Sequence, residues 1–233
     1  MKRILILDTE TTGLDSKTDS VIEVGCILFD VEHVTPLVSY STLLPAADNP
    51  AEPINRIPAA ALREIGSAQG DPWAAVAALA AKASAFVAHH AEFDRRFVPA
   101  QVRDLLPWIC SKDDLIWPRS TGTSRPSLVA LALAHDLWVA HAHRALADCE
   151  LISRLLVRAR ELGADLSAML ERGLRPKVNV IALMSFEDRD KARSAGFQWD
   201  PGARVWSRRM AADDIAALPF RTRVAAEEAR NAM

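Results

Sequence analysis

The apolar positions of the chain fall in short runs that end on acidic or small polar residues. Ile4 to Leu7 is followed by Asp8, Thr9, Glu10, Thr11, Thr12 and Gly13, a pattern that predicts a buried strand whose end opens into a cleft. Side chains alternate along a strand, so Asp8 and Glu10 are expected on one face. Val21 to Asp30 (VIEVGCILFD) is rich in β-branched residues and predicts a second strand, and Val34 to Leu44 a third, ended by Pro45. Separations this short predict an antiparallel meander. Glu23 lies inside the second strand and reads more simply as a carboxylate hydrogen-bonded at a strand edge than as a catalytic group.

Residues 45–58 hold prolines at 45, 50, 53 and 58 and read as a loop. Pro58 suits the first turn of a short helix through Glu64, closed near Gly66. Asp71 caps the next helix, with Pro72 at its first position and an end at about Lys82. Ser84 to Ala88 predicts a strand that delivers His89 to Phe97. Phe93 and Phe97, spaced i, i+4, are expected to mark the buried side of a helix, with Asp94 beside them facing the cleft. Trp108 to Ser111 reads as a further strand and Ser127 to His135 as a buried helix. Ala140 to Cys149 (AHAHRALADC) opens a long helix, from about Arg144 to Leu162, with apolar Leu151, Leu155 and Leu162. A histidine before a helix is ordinarily a cap or surface residue. With Asp148 shortly after it and three acids upstream, His143 becomes a candidate base, and His141 is the competing choice.

Composition narrows the chemistry. Lys and Arg total 28 against 30 Asp and Glu, a formal charge of -2, so no global basic field recruits a polyanion and any nucleic-acid contact must be local. The cysteines, Cys26, Cys110 and Cys149, are dispersed without CxxC spacing, which suits reduced thiols in a cytoplasmic protein and argues against zinc. The run after Lys2 and Arg3 is too short for a signal peptide, and the Ala-rich stretch Trp73 to Ala88 is interrupted by Lys82 and too short to span a bilayer. The expectation is a soluble intracellular chain without a membrane partner.

DTETTGL, AHHAEFD and HRALAD, in this order, resemble the three motifs of the DnaQ-like or DEDDh 3′-to-5′ exonuclease family. Its four acids fall on Asp8, Glu10, Asp94 and Asp148 and its histidine on His143. The phrases FDRRFVP, PWIC and HRALADC are most similar to the exonuclease X-like branch. The resemblance covers about residues 1 to 160 and implies an α/β, ribonuclease H-like fold: a mixed five-stranded sheet flanked by helices. It further implies two Mg²⁺, with Mn²⁺ able to substitute. Asp8 would bridge both ions, Glu10 and Asp148 complete the nucleophile-side ion, and Asp94 hold the other. Hard cations prefer oxygen ligands, which suits an all-acid set. His143 would take a proton from water, and the product would be a nucleoside 5′-monophosphate. Thr11, Thr12 and Gly13 would hold the 3′ nucleotide. Leu14 either parts terminal bases or is a partly buried loop residue. His90 and Phe93 would lie on the substrate side, although His90 stands where the family commonly has asparagine.

The leading expectation is a DNA exonuclease with a place in DNA repair. The alternatives are an exoribonuclease of the ribonuclease T or oligoribonuclease type, and a proofreading subunit associated with a polymerase. For the last, Gln101 to Trp108 (QVRDLLPW) faintly resembles a sliding-clamp peptide, but reads rather as packed structure.

The exonuclease domain is expected over residues 1–162, a linker over 163–176 and a small α+β module over 177–233. In that module Val178 to Phe186 reads as a strand, Glu187 to Ala195 as a helix, and Phe197, Trp199 and Trp206 flank a hairpin about Asp200-Pro201-Gly202. The stretch resembles small modules with a GxxWDPxxKxW pattern that are appended to nucleic-acid enzymes. Trp199 and Trp206 are expected to form a tiny core, and Arg204, Arg208 and Arg209 to supply nucleic-acid contacts.

Overall fold

The computed structural model describes residues 1–65, 70–123, 125–139 and 143–225. They form two compact units, one of residues 1–119 and 127–174, the other of 120–126 and 175 onward.

The first unit is built on β1 (Arg3–Thr11). Ile4, Leu5, Ile6 and Leu7 are all fully buried, as expected of a central strand covered on both faces. Ile4 and Ile6 enter one core cluster and Leu5 and Leu7 another, so the alternation splits the apolar run between the two sides of the sheet. β2 (Val21–Asp30) and β3 (Thr35–Leu43) complete the expected antiparallel meander. A loop carrying α1 (Glu52–Asn55), α2 (Ala59–Glu64) and α3 (Pro72–Ala80) leads to β4 (Phe86–Ala88), which pairs parallel to β1. Then come α4 (Ala91–Phe97), α5 (Ala100–Arg103) and β5 (Trp108–Cys110), parallel to β4. The sheet order is β3-β2-β1-β4-β5, the mixed five-stranded arrangement expected.

α6 (Leu128–Ala134) is capped by Ser127, whose side chain accepts from the Ala130 backbone N–H. α7 (Ala145–Glu161) lies on the β1–β2 face with Ala145, Cys149, Ile152, Leu156 and Ala159 buried along one side. Its first turn meets β2 at Gly25, where a Cβ would stand 2.5 Å from the Leu146 nitrogen and 2.6 Å from the Ala145 carbonyl carbon. Glycine at this strand position therefore permits backbone-to-backbone approach of helix and sheet.

Three expectations need correction. The stretch 163–176 is no linker, because it holds α8 (Leu166–Gly173). Leu166, Met169, Leu170 and Gly173 are buried there at i, i+3, i+4 and i+7, and the first three belong to the main core. The proline-rich loop contains the single turn α1, closed by Arg56 at φ 58. That turn is fixed by Asn49, whose Nδ2 donates to Asn55 Oδ1 at 2.9 Å and to the Ile57 carbonyl at 2.8 Å. In α4 the inward positions are Ala91 and Asp94, while Phe93 and Phe97 are half-buried and pack on each other at 4.9 Å. Of the 101–108 stretch, Val102 is buried, and the Trp108 ring stacks on Phe86 at 4.6 Å while its Nε1 donates to the Arg103 carbonyl. Val102, Leu106 and Trp108 are thus packed into the fold, as expected of this stretch, while Leu105 is exposed.

The second unit contains β6 (Lys177–Ala182), α9 (Arg189–Ser194), β7 (Gln198–Asp200) and β8 (Val205–Ala211). A 3-10 helix (Ala212–Ala217) and β9 (Thr222–Val224) follow. The sheet order is β7-β8-β6-β9, antiparallel throughout, with Trp199 paired opposite Trp206 in the hairpin. Val180, Ala182, Ala192, Phe197 and Met210 form its core. Trp206 packs against that core, but Trp199, on the short edge strand, is 47% exposed and does not belong to it. Among the described residues no helix is long and apolar enough to cross a membrane.

Because the neighbours of Gly25 are backbone atoms, no side chain can move aside for a methyl group. Gly25→Ala is expected to cost about 2–4 kcal/mol of unfolding free energy, which urea denaturation followed by circular dichroism measures.

Candidate active site

The end of β1 gathers the titratable groups. Asp8 pairs opposite Gly25 and Glu10 opposite Glu23, so all four positions share the face on which α7 lies. The bare Gly25 lets the first turn of α7 come in beside Asp8. Ligand atoms of Glu10, His143 and Asp148 lie within 4.8 Å of one another, with Glu10 and Asp148 half-buried and His143 exposed.

Asp94 reaches the site from α4. It is 2% exposed, and its Oδ1 accepts from the Thr9 backbone N–H at 3.0 Å and from the Thr9 hydroxyl at 2.9 Å. Thr9, between the two acids of β1, thus fixes the third. Sequence reasoning missed this role because the partners are 85 positions apart.

His143 has φ 64, in the left-handed region that a residue with a side chain seldom occupies. The neighbouring Arg144 anchors the turn: its Nε and Nη2 donate to the Glu23 carboxylate at 2.9 and 2.8 Å. The Glu23 carboxylate also accepts from the Ala145 backbone N–H at 3.0 Å. α7 has no side-chain cap of its own at Arg144, so Glu23 satisfies one of the helix's orphan donors from across the sheet. Glu23 is 3% exposed, and it is a buried positioning residue rather than an edge carboxylate. A glycine inside an otherwise β-branched strand was the one sequence signal of this docking.

Crowding and burial disturb every acid. Asp8 is raised well above the usual carboxylate range, first by burial and then by Asp94, Asp148 and Glu10. Burial, then Asp148 and Glu23, push Glu10 up to about 8. Asp94 is pushed up to about 7, chiefly by burial and against the Thr9 hydrogen bonds. Asp148 is pushed up to about 6 by burial, against the opposing influence of His143. Close acids that are costly to ionise fit a divalent cation, which favours the charged form and accepts hard oxygen donors.

The other expected contacts are placed as follows. The Thr11 hydroxyl donates to the Gly13 carbonyl at 2.6 Å, and Thr12 Oγ1 accepts from the Ser20 backbone N–H at 3.0 Å. Asn55 Nδ2 donates to the Thr11 carbonyl at 3.3 Å. These bonds brace the loop, from which Leu14 projects at 80% exposure. Leu14 is therefore not partly buried. His90 is exposed just before α4, and its ring is stacked 5.9 Å from that of Phe93. His141 lies outside the described residues. In the second unit Arg204 and Arg209 are exposed, but Arg208 is on the core side of β8 and its Nη1 donates to the Ala195 carbonyl at 2.6 Å.

Residues 5–156 match the family described as Exonuclease, and residues 178–224 one described as a domain of unknown function (DUF8626). No curated protein sequence matches the chain. Among solved structures, exonuclease X in complex with 5′ overhanging duplex DNA is similar at TM-score 0.53 and 27% identity, over 73% of this chain and 99% of that one. The nuclease domain of 3′hExo, a DEDDh family member bound to rAMP, is similar at TM-score 0.53 and 14% identity, over 70% of this chain and 94% of that one. E. coli exonuclease I in complex with a dT13 oligonucleotide gives TM-score 0.52 and 14% identity, over 79% of this chain and 49% of that one. The last two likenesses are of fold alone.

A carboxylate raised in the folded state contributes stability that is complete below its unfolded pKa and is lost as the pH rises through its folded one. With Asp148, Asp94 and Glu10 at about 6, 7 and 8, the melting temperature of the metal-free protein should fall between about pH 4 and pH 8. Asp8→Asn should raise it by at least about 2 °C at the upper end. Calorimetry in EDTA measures both, and a flat profile would contradict the crowding described.

Proposed function

The chain belongs to the exonuclease family, and from that premise we propose that it removes nucleotides one at a time from the 3′ end of DNA, releasing nucleoside 5′-monophosphates. It is a metal-dependent nuclease, a phosphodiester hydrolase. The observation that carries the finer reading is the convergence of Glu10, His143 and Asp148 within 4.8 Å, on the face that also holds Asp8.

The donor set suits two Mg²⁺, with Mn²⁺ as a substitute. Asp8 would hold both, Glu10 and Asp148 one of them, and Asp94 the other. Bound cations supply charge neutralisation at the phosphate, acidify the attacking water and stabilise the departing 3′ oxygen. The chain's own residues do the rest. His143, exposed at the mouth and 4.8 Å or less from the Glu10 and Asp148 ligand atoms, takes the proton from the attacking water. The Glu23–Arg144 pair holds the backbone next to it. Thr9 keeps Asp94 in one rotamer. Thr11, Thr12 and Gly13 present the braced loop to the terminal nucleotide, and Leu14 projects beyond it as a wedge against the last base pair. His90 and Phe93 offer a stacked edge on the same side as Asp94's helix.

Two experiments test this reading. Oligonucleotides of DNA and RNA, labelled at either end and incubated with and without Mg²⁺, should show label lost first from the 3′ end and only with metal. Asp8→Asn or Asp148→Asn should abolish release, whereas His143→Ala should retain about one part in 10²–10⁴ of kcat. Release from the 5′ end, or full activity of Asp8→Asn, would overturn the proposal. Leu14→Ala should slow attack on duplex ends about tenfold and leave single strands unaffected, an estimate that takes one lost apolar contact as its scale. Equal slowing on both would remove the wedge.

A further inference from the structure

Positive charge is unevenly shared along the chain. Residues 175–233 carry 11 Lys and Arg against 8 Asp and Glu, whereas residues 1–174 carry 17 against 22. The unit without the catalytic acids is the one suited to a polyanion.

One surface of that unit adds a second feature. Arg189 and Arg193 are four positions apart on α9 and so share a side of the helix. The Arg189 guanidinium carbon lies 4.2 Å from the centre of the Phe186 ring. That of Arg193 lies 5.8 Å from the centre of the Trp206 ring, which is itself 5.8 Å from Trp199. Phe186, Arg189, Arg193, Trp206 and Trp199 thus make a row of planar groups that runs from the loop before α9, along the helix, to the β7–β8 hairpin. Its ends are open: Phe186 is 76% and Trp199 47% exposed. Arg193 meets Asp190 at 3.3 Å in a solvent-exposed ion pair, which is weak, and Arg189 Nη1 donates to the Phe186 carbonyl at 3.1 Å.

We infer that this row is a docking surface for an unpaired stretch of nucleic acid, with bases stacking on Phe186 and Trp199 and phosphates meeting Arg189 and Arg193. The inference rests on the reading that the substrate is a nucleic acid, and it goes beyond the arginines of the hairpin. Aromatic faces can be used by a base only when it is unpaired, and stacking of this kind tolerates any sequence. A duplex would offer the row its phosphates alone. Two arginines set between aromatic groups at either end give the row both charge and ring faces, the two features that a single strand presents.

The test uses the full-length protein in EDTA, so that nothing is hydrolysed and the metal-free acids contribute no attraction. Fluorescence anisotropy with 5′-fluorescein dT20 and rU20 reads affinity, and a 20-base-pair blunt duplex serves as the comparison. Phe186→Ala with Trp199→Ala should weaken binding of at least one single strand about tenfold or more and leave the duplex within about twofold, in line with the loss of two stacked bases. Arg189→Gln with Arg193→Gln should lower the salt dependence of single-strand binding by about one to two counterions. Trp199→Phe should restore most of the affinity lost at that position. Unchanged single-strand binding in the aromatic double variant, or equal loss on duplex and single strands, would overturn the proposal. Hydrolysis of a 3′-labelled dinucleotide by the unaltered protein in Mg²⁺ reports separately on the nuclease reading. Its absence would remove that reading, whereas unchanged anisotropy removes only the docking surface.

Discussion

Mutual repulsion among carboxylates at the end of β1 is the constraint to which the rest of the first unit answers. Asp8, Glu10, Asp94 and Asp148 arrive from three elements, and burial raises each of them first, with neighbouring carboxylates adding to it. The Arg144 guanidinium lowers Glu10, but it is bonded to Glu23. Among the described residues, these influences and that of His143 on Asp148 leave Asp8, Glu10, Asp94 and Asp148 all raised. An arrangement that is unfavourable without cations and favourable with them couples metal binding to the ionisation of the acids, as expected where perturbed groups mark a site of chemistry.

Such a cluster requires rigid support, and the support is backbone packing as much as side-chain bonding. Gly25 admits the first turn of α7 to the surface of the sheet, which sets the depth of Asp148. Glu23 then fixes the start of that helix by taking the Ala145 N–H and the Arg144 guanidinium together. Only the Glu23 half of this pair is buried, so its desolvation offsets part of the attraction, and removing Arg144 would leave the buried carboxylate without its cation. The pair's contribution is geometric: it holds His143 at an unfavourable φ beside Glu10 and Asp148. Strain of that sort persists only where the surroundings determine it.

Much of this was legible along the chain, and for identifiable reasons. The meander, the bounds of α6 and α7, and the order of the three acidic motifs depend on local alternation, on Ser127 as a cap and on spacing, all of which a sequence displays. What was not legible depends on partners far away. Asp94 is turned inward by Thr9, so the apparent apolar face of α4, Phe93 and Phe97, is only half-buried. α1 exists because Asn49 and Asn55 bond across the loop and to Thr11, which no proline count reveals. α8 is a different case. Its i, i+3, i+4, i+7 pattern at Leu166, Met169, Leu170 and Gly173 was present and was obscured by the polar residues between. Trp199 was assigned to the small core because small domains need large side chains, yet Phe197 fills that place and the edge strand leaves Trp199 in solvent.

The division of charge between the two parts of the chain bears on how a nuclease with an acidic site gathers a polyanionic substrate. Without metal, ionised carboxylates at the end of β1 repel phosphate, and residues 1–174 carry a net excess of acids besides. A unit with an excess of Lys and Arg on the same chain would supply attraction that does not depend on metal loading. Sequence-independent stacking suits this task better than base-edge recognition, because an enzyme that shortens a strand meets a different base after every cycle. Retention without recognition is therefore the property that selection on such a module would favour, and exposed aromatic and guanidinium planes are the groups suited to it.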